Sequence, residues 1–300
     1  MKLLFIVNPI SGGVDKEPFL KEAGVLCENY GIVHEVFKTS GNNDEAKVRK
    51  VIHLFQPDKV ISVGGDGTTL FTAIALLDIN IPMGIIPLGS ANGMAVELSV
   101  NLNPTEALKD IIMSNVIGGL DMLLINNEHY TMHIGDVGLN ASIVEAYEKD
   151  ENRGMATYAK YFIEELKTLS PFKATVTANG KSVTSNVLMT AICNARKYGT
   201  GVPLNKISNP MDGMFEIVLI EQINFTSLIK AGLSKFDEQF MDDQSSQVIT
   251  AQSAKITFDT PRLLQLDGEV IDFYKEISIE MLKGAVQLIS TKSNTYILAK

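Results

Sequence analysis

Short apolar runs alternate with longer amphipathic segments over the first 120 residues of the chain. The runs are rich in β-branched residues and predict four strands, Leu3–Val7, His34–Lys38, Lys59–Val63 and Met83–Ile86. The segments between them repeat apolar residues near the helical period and predict three helices, Lys16–Tyr30, Asp44–Phe55 and Thr69–Leu77. Alternating strands and helices predict a parallel, doubly wound α/β sheet, and strands that are apolar throughout are typical of a sheet covered on both faces.

The pattern changes after Gly118-Gly119, where apolar runs follow one another with few helical segments between them. Helices are predicted only over 157–169 and 226–236. The predicted strands are Leu120–Ile125, Tyr130–Ile134, Ala174–Ala178, Val187–Cys193, Phe215–Ile220, Ala254–Phe258, Ile277–Met281 and Val286–Ile289. This pattern predicts a mainly antiparallel β-sandwich or barrel-like structure as a second domain. We therefore expect domains over 1–120 and 121–300, with the last ten residues packing back on the first domain.

Composition and charge narrow the function classes. The chain has 26 Lys and Arg against 35 Asp and Glu, a net charge of −9, and 45% hydrophobic residues. Such a composition is typical of globular proteins and excludes disordered, collagenous and coiled-coil chains. Because affinity for duplex nucleic acid comes from clustered Lys and Arg, the acidic balance argues against nucleic acid as a partner.

Neither a secreted nor a membrane-spanning protein is indicated. Only five apolar residues separate Lys2 from Asn8, too few for a signal peptide. The least charged stretch, 68–89, contains Asp78, Asn80 and two prolines, so it cannot form a membrane helix. The two cysteines, Cys27 and Cys193, have no disulfide or zinc spacing and are expected to be buried small hydrophobes in a reducing cytoplasm.

Each of the four predicted strands in the first half is followed by a small polar or glycine-rich turn. The turns are 8–13, 39–41, 64–68 and 87–93, and they read NPISGG, TSG, GGDGT and PLGSANG. Ligands of open parallel sheets bind outside the carboxyl ends of the strands. Glycine lets backbone N–H groups approach an anion, and helices expected to start at Thr68 and Ala91 would add positive dipole ends. The four turns therefore predict a crevice for a phosphate-bearing ligand.

The common nucleotide signatures do not fit these turns. GxxxxGK[ST] fails because no Lys stands at the required place, and GxGxxG fails because Leu70 occupies the last glycine position after Gly65. The carboxylate of Asp66 would suit this crevice if Mg²⁺ joined it to the phosphates.

Two Asp-Gly pairs stand out in the second half. Asp267-Gly268-Glu269 lies between apolar runs, and a two-residue hairpin turn is modestly favoured over catalysis on this feature alone. Asp212-Gly213 is also interpreted as a turn, with a metal or loop-ordering role open for the carboxylate.

The order of these motifs resembles the diacylglycerol kinase catalytic family, which includes bacterial soluble lipid kinases and sphingosine kinases. The resemblance covers nearly the whole chain and rests on NPxSG at 8–12, GGDGT at 64–68, PLGSAN at 87–92, GxxGLNA at 135–141, YGTG at 198–201, DG at 212–213 and DGE at 267–269. It implies an α/β nucleotide domain followed by a β-rich lipid-side domain, with ATP and Mg²⁺ in the cleft.

The resemblance also implies roles for individual residues. It assigns nucleotide contact to Asn8, Ser11, Gly12, Thr39, Gly64, Gly65, Gly67, Thr68, Ser90 and Asn92. It assigns Asp66 to the phosphate and magnesium region, Asp212 to a second metal site, and Asp267 and Glu269 to catalysis. We expect Asp267 to orient or deprotonate a lipid hydroxyl and Glu269 to support it or hold metal, with Asp66 as the alternative base.

The chain departs from the family pattern at four places. Leu70-Phe71 stands where the family often has Asn-Glu, and Asn92-Gly93 replaces Asn-Asp. Asn140 stands where a carboxylate often contacts the lipid headgroup, and Pro210-Met211 replaces a more acidic approach to Asp212.

The leading hypothesis is an ATP-dependent kinase that phosphorylates a hydroxyl of a lipid such as diacylglycerol or a sphingoid lipid. A soluble-substrate kinase of the NAD kinase type shares GGDGT and is the alternative, and a catalytically idle nucleotide-binding protein is a third class. The expected partner is a lipid at a membrane surface, contacted transiently by a cytoplasmic protein, and a homodimer is compatible with the sequence.

Overall fold

The computed structural model of the chain describes residues 1–138, 170–198, 203–222 and 246–298. The chain divides into two compact units, one formed by Met1–Asp121 with Lys283–Lys300 and the other by Met122–Leu282. The division falls beside the boundary expected after residue 120, and the C-terminal segment belongs to the first unit.

The first unit is a parallel α/β sheet with helices between its strands, as predicted. Its elements are β1 (Lys2–Val7), α1 (Glu17–Asn29), β2 (Val33–Lys38), α2 (Asp44–Phe55), β3 (Lys59–Gly64), α3 (Asp66–Ala75), β4 (Met83–Pro87), α4 (Gly93–Glu97) and α5 (Pro104–Met113). The strand order is β4-β3-β1-β2, with parallel pairing throughout. The carboxyl ends of the four strands therefore lie at one edge of the sheet.

The expectation that all four strands are covered on both faces is wrong for β2. Val33 and Val36 are 59% and 37% exposed, whereas Leu3 to Val7 of β1 are completely buried. The reason is position, because β1 pairs with β2 and β3 on its two sides, while β2 ends the strand order.

Helix α5 was not predicted, although its start carries a sequence signal. The side chain of Asn103 accepts hydrogen bonds from the amides of Thr105 and Glu106 at 3.0 and 3.1 Å, and Pro104 opens the helix. This is the N-cap and N1 pattern typical of helix starts. Its apolar face, Ala107, Leu108 and Ile111, is buried.

The second unit is mainly antiparallel, which confirms the expected β-rich domain. Its strands are the end of β5 (Val116–Ile125), β6 (His129–Thr131), β7 (Ile134–Gly138), β8 (Phe172–Ala178), β9 (Lys181–Val187), β10 (Met189–Cys193), β11 (Phe215–Ile220), β12 (Ser246–Ala251), β13 (Ser253–Leu266) and the larger part of β14 (Glu269–Ser290). The path β12-β11-β10-β7-β13-β14 is antiparallel at each step, and the first half of β13 also pairs with β8. Core residues such as Val137, Ile192 and Leu264 are buried together.

Strand boundaries in this unit differ from the predicted ones. The single run predicted over 130–134 is two strands, β6 and β7. The two runs predicted over 277–281 and 286–289 are one long strand, β14. The helices predicted over 157–169 and 226–236 lie outside the described residues.

The end of β14 returns the chain to the first unit, where Leu288 pairs in parallel with Met83 of β4. Helix α6 (Thr295–Leu298) follows, and the hydroxyl of Tyr296 donates to the carboxylate of Glu97 in α4. Within the described ranges, no helix is long and apolar enough to cross a membrane.

Candidate active site

Three glycine turns meet at backbone distance at the carboxyl edge of the first unit's sheet. A Cβ atom on Gly89 would lie 2.2 Å from the Cα of Gly65, and one on Gly12 would lie 2.9 Å from the Cα of Gly89. Gly12 also has a φ of +65°, which side-chain-bearing residues rarely adopt. The convergence of the turns after β1, β3 and β4 brings together seven of the predicted nucleotide residues, Ser11, Gly12, Gly64, Gly65, Thr68, Ser90 and Asn92.

The turn after β3 presents the open end of α3. Gly65 is the N-cap residue of this helix and has no side chain, so no side-chain hydrogen bond caps the first amides. The hydroxyl oxygen of Thr68 is buried and has no hydrogen-bond partner among the described residues. First-turn amides without helical partners and a buried hydroxyl are groups that a phosphate oxygen can satisfy.

The side chain of Asn92 closes the turn after β4. Asn92 accepts from the amide of Gly89 at 2.8 Å and donates to the carbonyl of Gly89 at 3.0 Å. Asn92 therefore shapes this turn, and its nucleotide contact stays a prediction, while Ser90 is exposed at the tip of the turn.

The carboxylate of Asp66 accepts hydrogen bonds from the start of helix α4. Its two carboxylate oxygens accept the amides of Gly93 and Met94, each at 2.9 Å. The helix start expected at Ala91 lies at Gly93, and its dipole end faces this carboxylate. Asp66 thus ties the turn after β3 to the turn after β4.

Replacing Asp66 with Asn should lower the free energy of unfolding by about 1–2 kcal/mol, the usual cost of losing a helix cap. The amide can offer only one acceptor oxygen to the two backbone N–H groups, so one of them loses its partner. Chemical denaturation measures the effect. The control Asp78→Asn changes an exposed carboxylate and should leave stability unchanged; equal stability of Asp66→Asn and the wild type would contradict the capping role.

The buried Lys16 stabilises the turn after β1. Lys16 is 2% exposed, and its ammonium donates to the carbonyls of Ser11 and Val14. Burial lowers the pKa of Lys16 from its ordinary value, and nearby Asp15 opposes that shift. Sequence analysis did not identify this residue, because a lone lysine before a helix carries no distinctive signal.

Asn8 and Thr39 lie side by side at the same edge. The amide of Thr39 donates to the carbonyl of Val7 at 2.9 Å, and the side chain of Asn8 accepts the amide of Ile10 at 3.2 Å. Asp44 orders the turn after β2 by accepting the amides of Ser40 and Gly41, both at 2.7 Å. Burial acts to raise the pKa of Asp44, but the hydrogen bonds from Ser40 and Gly41 and the charge of Lys47 together lower it.

In the second unit, Asp267 and Gly268 form the two-residue turn between β13 and β14. Leu266 pairs with Glu269 across the turn, and Asp267 and Gly268 have φ angles of 51° and 89°. Two positive φ values are the signature of a type I′ hairpin, so the interpretation of this motif as a turn is confirmed. Glu269 is exposed beside it.

The carboxylate of Asp267 occupies a cradle of four donors. It accepts the hydroxyl of Thr131 at 2.5 Å and the amides of Met132, His133 and Ile134 at 3.1 to 3.2 Å. This cradle, the connection between β6 and β7, was missed because no local pattern links it to a turn more than 130 residues later. A side chain held so firmly has a fixed position in the second unit.

The described residues contain no group of three or more His, Cys, Asp or Glu side chains placed to hold a metal ion. Asp212 is exposed, and one of its oxygens accepts the amide of Met214 at 2.9 Å, which orders its own turn. The metal roles of Asp66 and Asp212 stay predictions, and Asn140 lies outside the described residues.

Strand β11 carries a buried carboxyl group. Glu216 is 3% exposed and accepts the hydroxyl of Ser208. Burial raises the pKa of Glu216, against the opposing hydrogen bonds from Ser208 and Thr250.

Cys27 and Cys193 are free and buried, as predicted, and burial raises the pKa of the Cys193 thiol well above its ordinary value.

The raised pKa of Glu216 predicts a pH dependence of stability. The folded state binds this proton more tightly than the unfolded state, so the stabilisation from protonating Glu216 is present below its ordinary pKa and is lost as pH rises through the raised one. Glu216→Gln should therefore gain stability relative to wild type as pH rises through that window. Denaturation curves from pH 4 to 8 measure the difference, and a difference independent of pH would contradict the shift.

Comparisons with known proteins agree with this architecture. Residues 2–123 match the model of the diacylglycerol kinase catalytic domain, and residues 135–290 match the model of the YegS C-terminal NAD kinase beta sandwich-like domain. A diacylglycerol kinase of Bacillus subtilis (strain 168) is 23% identical over 292 residues, covering 93% of this chain and 95% of that protein. A crystal structure of a diacylglycerol kinase from Bacillus anthracis (strain Sterne) superimposes with a TM-score of 0.72 at 20% identity and covers 98% of both chains, which supports the fold. The two matched domains, in this order and over nearly the whole length, show that the chain belongs to the diacylglycerol kinase catalytic family.

Proposed function

We propose that this protein is an ATP-dependent lipid kinase, which transfers the γ-phosphoryl group of ATP to a hydroxyl of a lipid such as diacylglycerol or a sphingoid lipid. The observation that carries the proposal is the meeting of Gly12, Gly65 and Gly89 at backbone distance beside the open end of α3. A cradle built of backbone amides suits the polyphosphate of a nucleotide. Membership of a kinase family supports ATP as that nucleotide.

Mg²⁺ is proposed to enter with the nucleotide. Magnesium keeps several waters and commonly binds through substrate phosphates and one or two carboxylates rather than in an all-protein cage. Asp66 lies within the glycine turn 64–68, which follows β3. Its two oxygens each accept one backbone amide, which leaves further lone pairs for a metal-bound water.

Asp267 is proposed to orient the acceptor hydroxyl. In the reaction the hydroxyl oxygen bonds to the γ-phosphorus, the bond to the ADP oxygen breaks, and the hydroxyl proton leaves to a carboxylate or to water. Phosphoryl transfer depends more on positioning than on a strong base. Four donors fix the position of the Asp267 carboxylate, so a role in orienting the hydroxyl is favoured over deprotonation.

Glu269 is proposed to support Asp267 from the start of β14, where it is exposed. Asp66 is the less favoured base because both of its oxygens help to start α4. The lipid acceptor is proposed to be contacted transiently at a membrane surface.

The test is a substrate panel with γ-labelled ATP and Mg²⁺. Diacylglycerol, monoacylglycerol, sphingosine, ceramide and phosphatidylglycerol are supplied in mixed micelles, and NAD is supplied in solution. If the protein is a lipid kinase, label should enter at least one lipid, and this labelling should stop when EDTA removes the metal. Label in NAD alone would favour a soluble-substrate kinase, and ATP binding without label in any acceptor would favour an idle nucleotide-binding protein.

A further inference from the structure

Asp136 is an acidic side chain in the middle of the second unit's sheet. It lies in β7, pairs with Ala191 of β10 on one side and Gln265 of β13 on the other, and is 0% exposed. Burying a carboxyl group is costly unless hydrogen bonds compensate it. Neither the nucleotide turns nor the cradle of Asp267 uses this residue.

The hydrogen bonds of Asp136 lead towards the turn that carries Asp267. Its Oδ2 accepts the hydroxyl of Tyr198 at 2.6 Å and also the side-chain Nε2 of Gln265. The Oε1 of Gln265 in turn accepts the amide of Gly268 at 2.8 Å. A connected path of two hydrogen bonds thus joins Asp136 to the backbone of the turn.

The orientation of the Gln265 side-chain amide is fixed by the groups at the two ends of this path, the Gly268 amide and the Asp136 carboxylate. The amide of Gly268 can only donate, so the oxygen of the Gln265 side chain must face the turn. The NH₂ group of Gln265 then faces Asp136 and needs an acceptor there. Gln265 is itself 1% exposed, so an unmatched donor at this place would be costly.

The turn has a backbone conformation that few residues adopt easily, because Asp267 and Gly268 both have positive φ angles. Its conformation decides where the carboxylate of Asp267 enters the cradle formed by Thr131 and the following amides. A side chain that binds the Gly268 amide therefore acts directly on the position of Asp267.

We propose that Asp136 is a positioning residue for the phosphoryl-transfer site, acting through Gln265 on the Asp267-Gly268 turn. The role rests on the proposed function of Asp267. What Asp136 supplies is a buried acceptor oxygen, so an isosteric amide should replace it and an apolar side chain should not.

The activity test compares Asp136→Asn, Asp136→Leu and Gln265→Leu in the lipid kinase assay. Asp136→Leu and Gln265→Leu should each lower kcat about 10- to 100-fold, the effect expected of a small displacement of a reacting group, with KM for ATP unchanged. The double variant should be no worse than either single one, since both break the same path. Asp136→Asn should keep at least a third of wild-type kcat.

Glu216→Gln is the matched control, because it alters another buried carboxyl group of the same sheet whose hydrogen bonds go to Ser208 and Thr250. It should retain wild-type kcat. If Asp136→Leu is folded and keeps wild-type kcat, or if Asp136→Asn is as impaired as Asp136→Leu, the positioning role is wrong.

A second measurement does not depend on activity. In NMR spectra, the amide of Gly268 should shift and lose protection from hydrogen exchange in Asp136→Leu, but not in Asp136→Asn or Glu216→Gln. An unchanged Gly268 amide in Asp136→Leu would overturn the inference even if no lipid were phosphorylated. A wild-type protein that phosphorylates no lipid, with a perturbed Gly268 amide in Asp136→Leu, would instead overturn the proposed function, and with it the catalytic purpose of the positioning, while supporting the control of the turn by Asp136.

Discussion

Replacing Gly89 with alanine should reduce ATP affinity by about 10- to 100-fold, because overpacking typically costs about 1–3 kcal/mol and about 1.4 kcal/mol changes an equilibrium constant tenfold. The new Cβ would lie 2.2 Å from the Cα and 2.8 Å from the amide nitrogen of Gly65, so the two turns cannot keep their present separation. Because both contacts are with backbone, no side-chain movement can relieve them. Isothermal titration calorimetry with ATP and Mg²⁺ measures the loss.

The matched control is Gly24→Ala in α1, where the nearest atom to an added Cβ is Nε2 of His34 at 3.8 Å. This variant should bind ATP as the wild type does and gain up to about 1 kcal/mol of stability, since alanine favours helix. Gly89→Ala should lose about 1–3 kcal/mol from overpacking. ATP affinity within threefold of wild type in a folded Gly89→Ala protein would show that the meeting of these turns does not form the nucleotide site.

Much of the first unit follows from local sequence patterns. Helix α2 begins and ends where its apolar repeat predicts, because Val48 and Ile52 lie one turn apart on a buried face. The glycine turns were placed correctly because strand ends in a parallel sheet share one edge. What these patterns could not supply was the contact of Gly12 with Gly89, which depends on the packing of turns that are distant in sequence.

The side-chain partners were harder to predict than the elements. The phosphate and magnesium role of Asp66 stays a prediction, and the sequence did not indicate that its carboxylate also accepts the amide of Gly93, 27 residues later, at the start of α4. Asp136 was overlooked because a single acidic residue in an apolar strand has no periodic signal, and its partners Gln265 and Tyr198 lie far along the chain. Long-range hydrogen bonds between buried polar groups are set by topology, which a single sequence encodes only indirectly.

Replacing Asp267 with Asn should lower kcat for lipid phosphorylation about 10²- to 10⁴-fold, the range typical of a lost acid–base or hydroxyl-orienting group. The amide keeps the shape of the side chain but loses the charge that would orient the acceptor hydroxyl. KM for ATP should stay unchanged, because the proposed nucleotide contacts all belong to the first unit and Asp267 belongs to the second. Initial rates at varied ATP and lipid concentrations separate the two effects.

The same substitution tests whether the cradle serves folding or chemistry. Asn can offer one acceptor oxygen to the Thr131 hydroxyl and its neighbouring amides, so its NH₂ group must face the N–H of Met132 and stability should fall by about 1 kcal/mol. A loss of that size leaves the protein folded at assay temperature and cannot account for a hundredfold loss of kcat. Asp272→Asn, which alters an exposed carboxylate of the same strand, should match the wild type in both measurements. If Asp267→Asn keeps wild-type kcat while losing stability, the four donors exist only to hold the hairpin, and the acceptor hydroxyl must be oriented by another group, with the exposed Glu269 the first to test.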